Sequence, residues 1–89
     1  MTDLSFSPEA NELLDRLEAD PSQLRLAGRL NSALDRLEAD PGAAENRRRR
    51  FHTLDLWGIP VVCDDEEWLI LWELMDETTI LVHHIVPAP

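Results

Sequence analysis

The first half of the chain places apolar residues with the period of an α-helix. Ser7 is a suitable N-cap and Pro8 fits the first helical position, so a helix is predicted to begin there. It is expected to end near Asp20, because Pro21 disfavours helical geometry in the residue before it. The apolar stripe of this helix recurs every three or four residues. Its members are Ala10, Leu13, Leu14 and Leu17.

A second helix is predicted to begin at about Pro21 to Gln23 and to end at Asp40. Its apolar stripe consists of Leu26, Ala27, Leu30, Ala33, Leu34 and Leu37. Gly28 lies inside it and costs about 1 kcal/mol relative to alanine, so we expect it to permit close packing on a neighbour. The sequence LDRLEADP occurs at Leu14–Pro21 and again at Leu34–Pro41. Two helices that end alike predict an αα-hairpin.

From Leu54 onward, apolar residues follow the period of two that is typical of β-strands. Gly42 to Arg50 is predicted to be a loop. Pro60 has no backbone N–H, which predicts an edge strand or a bulge there. Trp68–Leu74 is apolar on both faces and is therefore expected to be a central strand. The predicted strands are Leu56–Val62, Trp68–Leu74 and Thr79–Val86, with Asp3–Phe6 as a possible short fourth.

These elements predict one α+β domain over residues 1–89, with two N-terminal helices packed on a three- to four-stranded antiparallel sheet.

The 18 acidic residues outnumber the 8 basic ones, which gives a formal net charge of −10. Such a charge repels phosphate over most of the surface and disfavours general nucleic-acid binding. A basic partner protein would be attracted to it.

Half of the basic side chains form one run, which consists of Arg47, Arg48, Arg49 and Arg50. Guanidinium groups bind phosphate bidentately, so the run is a candidate phosphate or RNA site. The alternative is a solvated loop, or a docking site for an acidic segment of a partner. Trp57, on the predicted edge strand, is a candidate for stacking on a base. Trp68 and Trp72 are instead expected to be core residues beneath the helices.

The histidines are the candidate catalytic bases. His83 and His84 are neighbours in a predicted strand, so we expect one to face the helices and the other the opposite side of the sheet. The outward one could act as a general base near neutral pH, and so could His52. The alternative is a half-buried histidine held by hydrogen bonds. The spacing of these residues and Cys63 matches no zinc pattern, and no cofactor motif occurs, so neither a metal nor a cofactor is predicted.

The sequence also bears on location. The first residues, MTDLSFSPEA, lack the features of a signal peptide, and every apolar run is too short to span a membrane. A single cysteine, Cys63, cannot form an internal disulfide. A cytoplasmic protein is therefore expected.

Two stretches together resemble the RelE/ParE superfamily of bacterial toxins. The opening LSFSPEANELLDRLEADP resembles the short strand and helix entry of that family, and LWGIPVVCDDEEWLILWELMDETTILVHHIVP resembles its C-terminal strands. The resemblance implies a toxin fold and a cognate antitoxin that wraps it. Members of the RelE type cleave mRNA on the ribosome, and members of the ParE type poison gyrase. Leu69 stands where the family carries a catalytic arginine, and the chain contains no tyrosine.

Two functional hypotheses follow. The first is the toxin component of a type II toxin–antitoxin system that cleaves mRNA without a metal. In it the arginine run would hold the phosphate, and His83 or His84 would take the proton of the 2′-hydroxyl. The second is a non-catalytic module on the same fold that binds an antitoxin, gyrase or a second copy of itself. The missing arginine and tyrosine and the negative charge favour the second.

Overall fold

A computed structural model of the chain describes residues 3–42, 49–51 and 55–88. The described helices are α1 (Pro8–Ala19) and α2 (Leu24–Ala39), with a short 3₁₀ turn at Pro21–Gln23 between them. The described strands are β1 (Asp3–Phe6), β2 (Arg49–Phe51), β3 (Leu56–Cys63), β4 (Glu66–Leu74) and β5 (Thr79–Pro87). The α+β class and the two N-terminal helices are confirmed.

The sheet differs from the predicted antiparallel one, because it is mixed. The five described strands lie in the order β1-β5-β4-β3-β2. The β2–β3, β3–β4 and β4–β5 pairs are antiparallel, whereas β1 pairs with β5 in parallel, with Asp3 opposite Thr79 and Phe6 opposite Val82. The first strand in the sequence, β1, thus lies beside the last one, β5. Part of the predicted loop from Gly42 to Arg50 also pairs, as the start of β2.

The helix boundaries follow local capping chemistry. The Ser7 hydroxyl accepts a hydrogen bond from the backbone N–H of Ala10, at 3.1 Å, and so caps α1. The Asp20 carboxylate accepts from the backbone N–H of Ser22, at 3.0 Å, at the start of the 3₁₀ turn. The predicted helix start at Pro21 therefore corresponds to this turn, and α2 itself begins at Leu24.

The main core lies between the helices and one face of the sheet. Both predicted helical stripes are buried except for Leu13, which is half-buried. The largest fully buried side chains are Trp72, Leu30, Leu37, Ile70, Ile80 and Val82. We call the other side of the sheet the open face. It carries a smaller apolar cluster of Leu56, Leu69 and Leu71.

The central position of β4 is confirmed, since it pairs with both β3 and β5.

Pro60 lies in β3, whose described pairing differs between its two sides. On the β2 side, β3 pairs only through Leu56, Trp57 and Gly58. From Ile59 to Cys63, no described strand pairs with that side, so Pro60 stands at an edge position within the described residues.

Gly28 does not pack closely on a neighbour as expected. Apart from the nearby backbone of α2 itself, no atom of the described residues lies within 4 Å of a Cβ atom built at this position. The residue is exposed in the middle of α2, with no positive φ to favour glycine.

No helix in the described part of the chain is both long and apolar enough to cross a membrane.

Candidate functional site

Arg50 is the one member of the arginine run whose side chain is described. Its charge is paired with a carboxylate of the same chain. Its guanidinium forms an ion pair with Asp55 and lies over the ring of Trp57, 4.7 Å from the ring centroid. Trp57 is half-buried against the core. Arg47, Arg48, His52 and the side chain of Arg49 lie outside the described residues, so their predicted roles stay predictions.

The two strand histidines come closer together than strict alternation predicts. A β-bulge in the β4–β5 ladder lets Leu71 pair with His84 and Trp72 with Val82, which leaves His83 as the extra residue. The two imidazole rings lie 6.2 Å apart, centroid to centroid. The bulge breaks the period of two on which the expectation of opposite faces was based, so that expectation stays a prediction.

Each of these histidines faces a carboxylate. The Nε2 atom of His83 lies 3.0 Å from Oε1 of Glu73, and the Nδ1 atom of His84 lies 3.3 Å from Oε2 of Glu9 on α1. The Ser7 hydroxyl donates to the backbone carbonyl of His83, at 2.6 Å. These contacts fasten the start of α1 to the bulge. The sequence analysis gave a half-buried histidine held by hydrogen bonds as the alternative to a catalytic base. His83 has this arrangement.

The histidine pair and Arg50 lie in different parts of the sheet. Arg50 pairs with Trp57, Trp57 with Trp72, and Trp72 with Val82, so a line from Arg50 to the bulge crosses three strand spacings. At about 4.8 Å per spacing, that line is roughly 14 Å long. Arg50 and the two histidines are therefore not neighbours in the sheet.

A groove between α2 and the edge of β3 was not predicted. Its volume is about 620 Å³. We call it the α2–β3 groove. The α2 wall consists of Leu24, Arg25, Gly28, Arg29, Ser32 and Arg36, and the β3 wall consists of Pro60, Val61 and Val62. Leu24 and Val62 are 56% and 58% exposed.

Positive charge is concentrated on the α2 wall. Of the four arginines outside the Arg47–Arg50 run, three line this groove. Arg25 lies at one end, 3.2 Å from the carboxylate of Asp64. Arg29 is exposed and has no carboxylate partner among the described residues. Arg29 therefore presents a positive charge to the groove on a negatively charged protein.

The sequence did contain a signal for this groove. Arg25, Arg29, Ser32 and Arg36 follow one another at spacings of four, three and four, which places them on one face of a helix. Only the tertiary structure shows that this face of α2 lies beside β3.

No three potential metal ligands among the described residues lie close enough together to hold an ion. Comparison of the chain with protein-family models, with curated proteins and with solved structures gives no match.

Proposed function

We propose that this chain is a non-catalytic protein-binding domain whose partner occupies the α2–β3 groove. One observation carries the proposal: exposed apolar and cationic side chains, namely Leu24, Val62 and Arg29, line one groove between α2 and β3. Exposed apolar surface with charged neighbours is typical of protein-binding sites. The proposal retains the RelE/ParE-like relationship, with its helical hairpin, and makes the partner an antitoxin-like protein.

The geometry of the described residues favours binding over ribonuclease chemistry. Phosphate cleavage without a metal requires a cation and a proton acceptor at one phosphate group. The Arg50 charge is offset by Asp55, and roughly 14 Å of sheet separates Arg50 from the bulge at His83. The imidazoles are themselves next to the carboxylates of Glu73 and Glu9, which repel phosphate.

Co-expression with the products of the flanking genes tests the proposal. We expect one of these products to co-purify with the tagged chain in a fixed ratio. Arg29→Glu should weaken the complex, whereas a variant with both His83→Ala and His84→Ala should retain it. Primer extension on RNA from the same cells should show no new cuts. Cuts that appear with the wild-type chain and disappear with the double histidine variant would establish catalysis and overturn the proposal.

A further inference from the structure

The outer edge of the sheet, at β1, has backbone groups that face away from the fold. The Asp3 N–H donates to the carbonyl of the residue before β5, at 2.7 Å, and the Ser7 N–H donates to the carbonyl of Val82, at 2.9 Å. Alternate residues of a strand direct their backbone groups to the same side, so Leu4 and Phe6 direct theirs away from β5. Among the described residues, none hydrogen-bonds to these outward N–H and C=O groups. Such an edge offers pairing positions to another extended chain.

The remaining residues of the chain are tied too far from β1 to pair with this edge. Residues 43–48 and 52–54 adjoin β2, at the opposite end of the strand order, four strand spacings or roughly 19 Å from β1. Six extended residues span at most about 22 Å, so residues 43–48 would be used up in crossing the sheet. Residue 89 follows Ala88, whose N–H donates to a carbonyl of β4. Residues 1–2 directly precede β1 and are too few to turn back along it.

The side chains of β1 determine the pattern of a strand that would pair there. Leu4 and Phe6 are half-buried and pack against the main core, so one face of this edge is apolar and only partly covered. Asp3 and Ser5 alternate with them and are exposed. Side chains directly opposite each other in paired strands lie on the same face. An incoming strand would therefore place apolar side chains beside Leu4 and Phe6, and polar ones beside Asp3 and Ser5.

The charge around this edge is acidic. The segments that border it, residues 3–9 and 75–78, contain four acidic residues and no basic one, and the four are Asp3, Glu9, Asp76 and Glu77. Asp3 is exposed and has no cationic partner among the described residues. Seven of the eight arginines lie elsewhere, three on α2 and four in the Arg47–Arg50 run. Basic side chains of an incoming strand would be attracted to this edge, and acidic ones repelled.

We propose that the outer edge of β1 binds a basic, extended segment of a partner protein, which adds to the sheet as a further strand. This site goes beyond the function proposed above, because β5 and β4 separate β1 from β3 and so from the α2–β3 groove. A second copy of the chain fits less well. Two β1 edges would bring the same acidic segments together, on chains that each carry a formal net charge of −10.

The test uses a synthetic fluorescent peptide of about eight residues that alternates valine with lysine. We expect saturable binding to the full chain, measured by fluorescence anisotropy, and a valine–glutamate peptide should bind at least about tenfold more weakly. Two further versions of the valine–lysine peptide are N-methylated, one on the valine amides and the other on the lysine amides. Alternate amides of a strand face opposite sides, so one version should lose binding and the other should retain it.

Variants of the chain locate the site. Asp3→Lys should weaken binding of the valine–lysine peptide about tenfold, whereas Asp35→Lys, the same charge change at an exposed position of α2, should change it less than about twofold. Leu4→Pro removes an outward N–H that makes no bond to β5, and it should weaken binding. Leu4→Ala loses the same packing but keeps the N–H, so it should bind the peptide about fivefold more tightly than Leu4→Pro. Neither variant removes a hydrogen bond of the sheet, so both should remain folded by circular dichroism.

Any of four results would overturn this inference. They are no saturable binding of the valine–lysine peptide, equal binding of the valine–glutamate peptide, equal effects of the two N-methylations, or equal effects of Asp3→Lys and Asp35→Lys. Concentration-dependent dimerisation of the free chain that Leu4→Pro abolishes would assign the edge to a second copy and would overturn it as well. The α2–β3 groove is tested separately, by Arg29→Glu and a flanking-gene product, so the two proposals fail independently.

Discussion

Substitution of Gly28 by alanine should stabilise the protein. Apart from the nearby backbone of α2 itself, no atom of the described residues lies within 4 Å of the added methyl group, so no clash with them opposes the gain in helix propensity. That gain is about 0.5–1 kcal/mol in the free energy of unfolding. For a domain of this size, 1 kcal/mol corresponds to a shift of about 4–8 °C in Tm, so we expect a rise of about 2–8 °C. Urea denaturation at 25 °C, with the m-value unchanged, measures the same gain directly.

Ser32→Ala is the matched control, because Ser32 lies on the same wall of the groove. Serine has an intermediate helix propensity, so its replacement should stabilise the protein less than Gly28→Ala does. A neutral or destabilising effect of Gly28→Ala would refute the reasoning. It would mean that the fold itself needs glycine at position 28.

Three further predictions concern stability. Ser7→Ala should destabilise the protein by about 1–2 kcal/mol in chemical denaturation, because the hydroxyl caps α1 and also donates to a β5 carbonyl. Ile70→Ala should cost about 2–5 kcal/mol by the same measurement, because Ile70 is fully buried. The pKa of Asp76 is lowered from 3.8 by the backbone N–H of Thr78 first and by its hydroxyl second, and the Ser22 hydroxyl similarly lowers the pKa of Asp20. A lowered folded pKa means that the stability from these carboxylates is present above pH 3.8 and is lost as the pH falls through the folded values. An NMR titration of the carboxyl carbons should therefore show that Thr78→Ala raises the pKa of Asp76 only partway.

The helices and the three long strands could be predicted because their signals are local. The spacing of Leu14, Leu17 and the later leucines is read from neighbours along the chain, and so is the Ser7 cap. The doubly apolar pattern of Trp68–Leu74 also predicted a central strand, since such a pattern needs cover on both faces.

The parallel pairing of β1 with β5 could not be predicted in the same way. Phe6 and Val82 are far apart in sequence, and neither segment contains a signal that distinguishes parallel from antiparallel pairing. The bulge at His83 had no local signal either, since no glycine or proline marks it. The α2–β3 groove depends on how α2 lies beside β3, which is a property of the whole fold.

A ¹⁵N–¹H NMR titration of the chain with the flanking-gene product that co-purifies with it tests the central claim most directly. The account predicts that amide shifts concentrate at Val61 and Val62 on one wall of the groove and at Gly28 and Arg29 on the other. Shifts concentrated around the bulge at His83, or spread evenly over the surface, would contradict it.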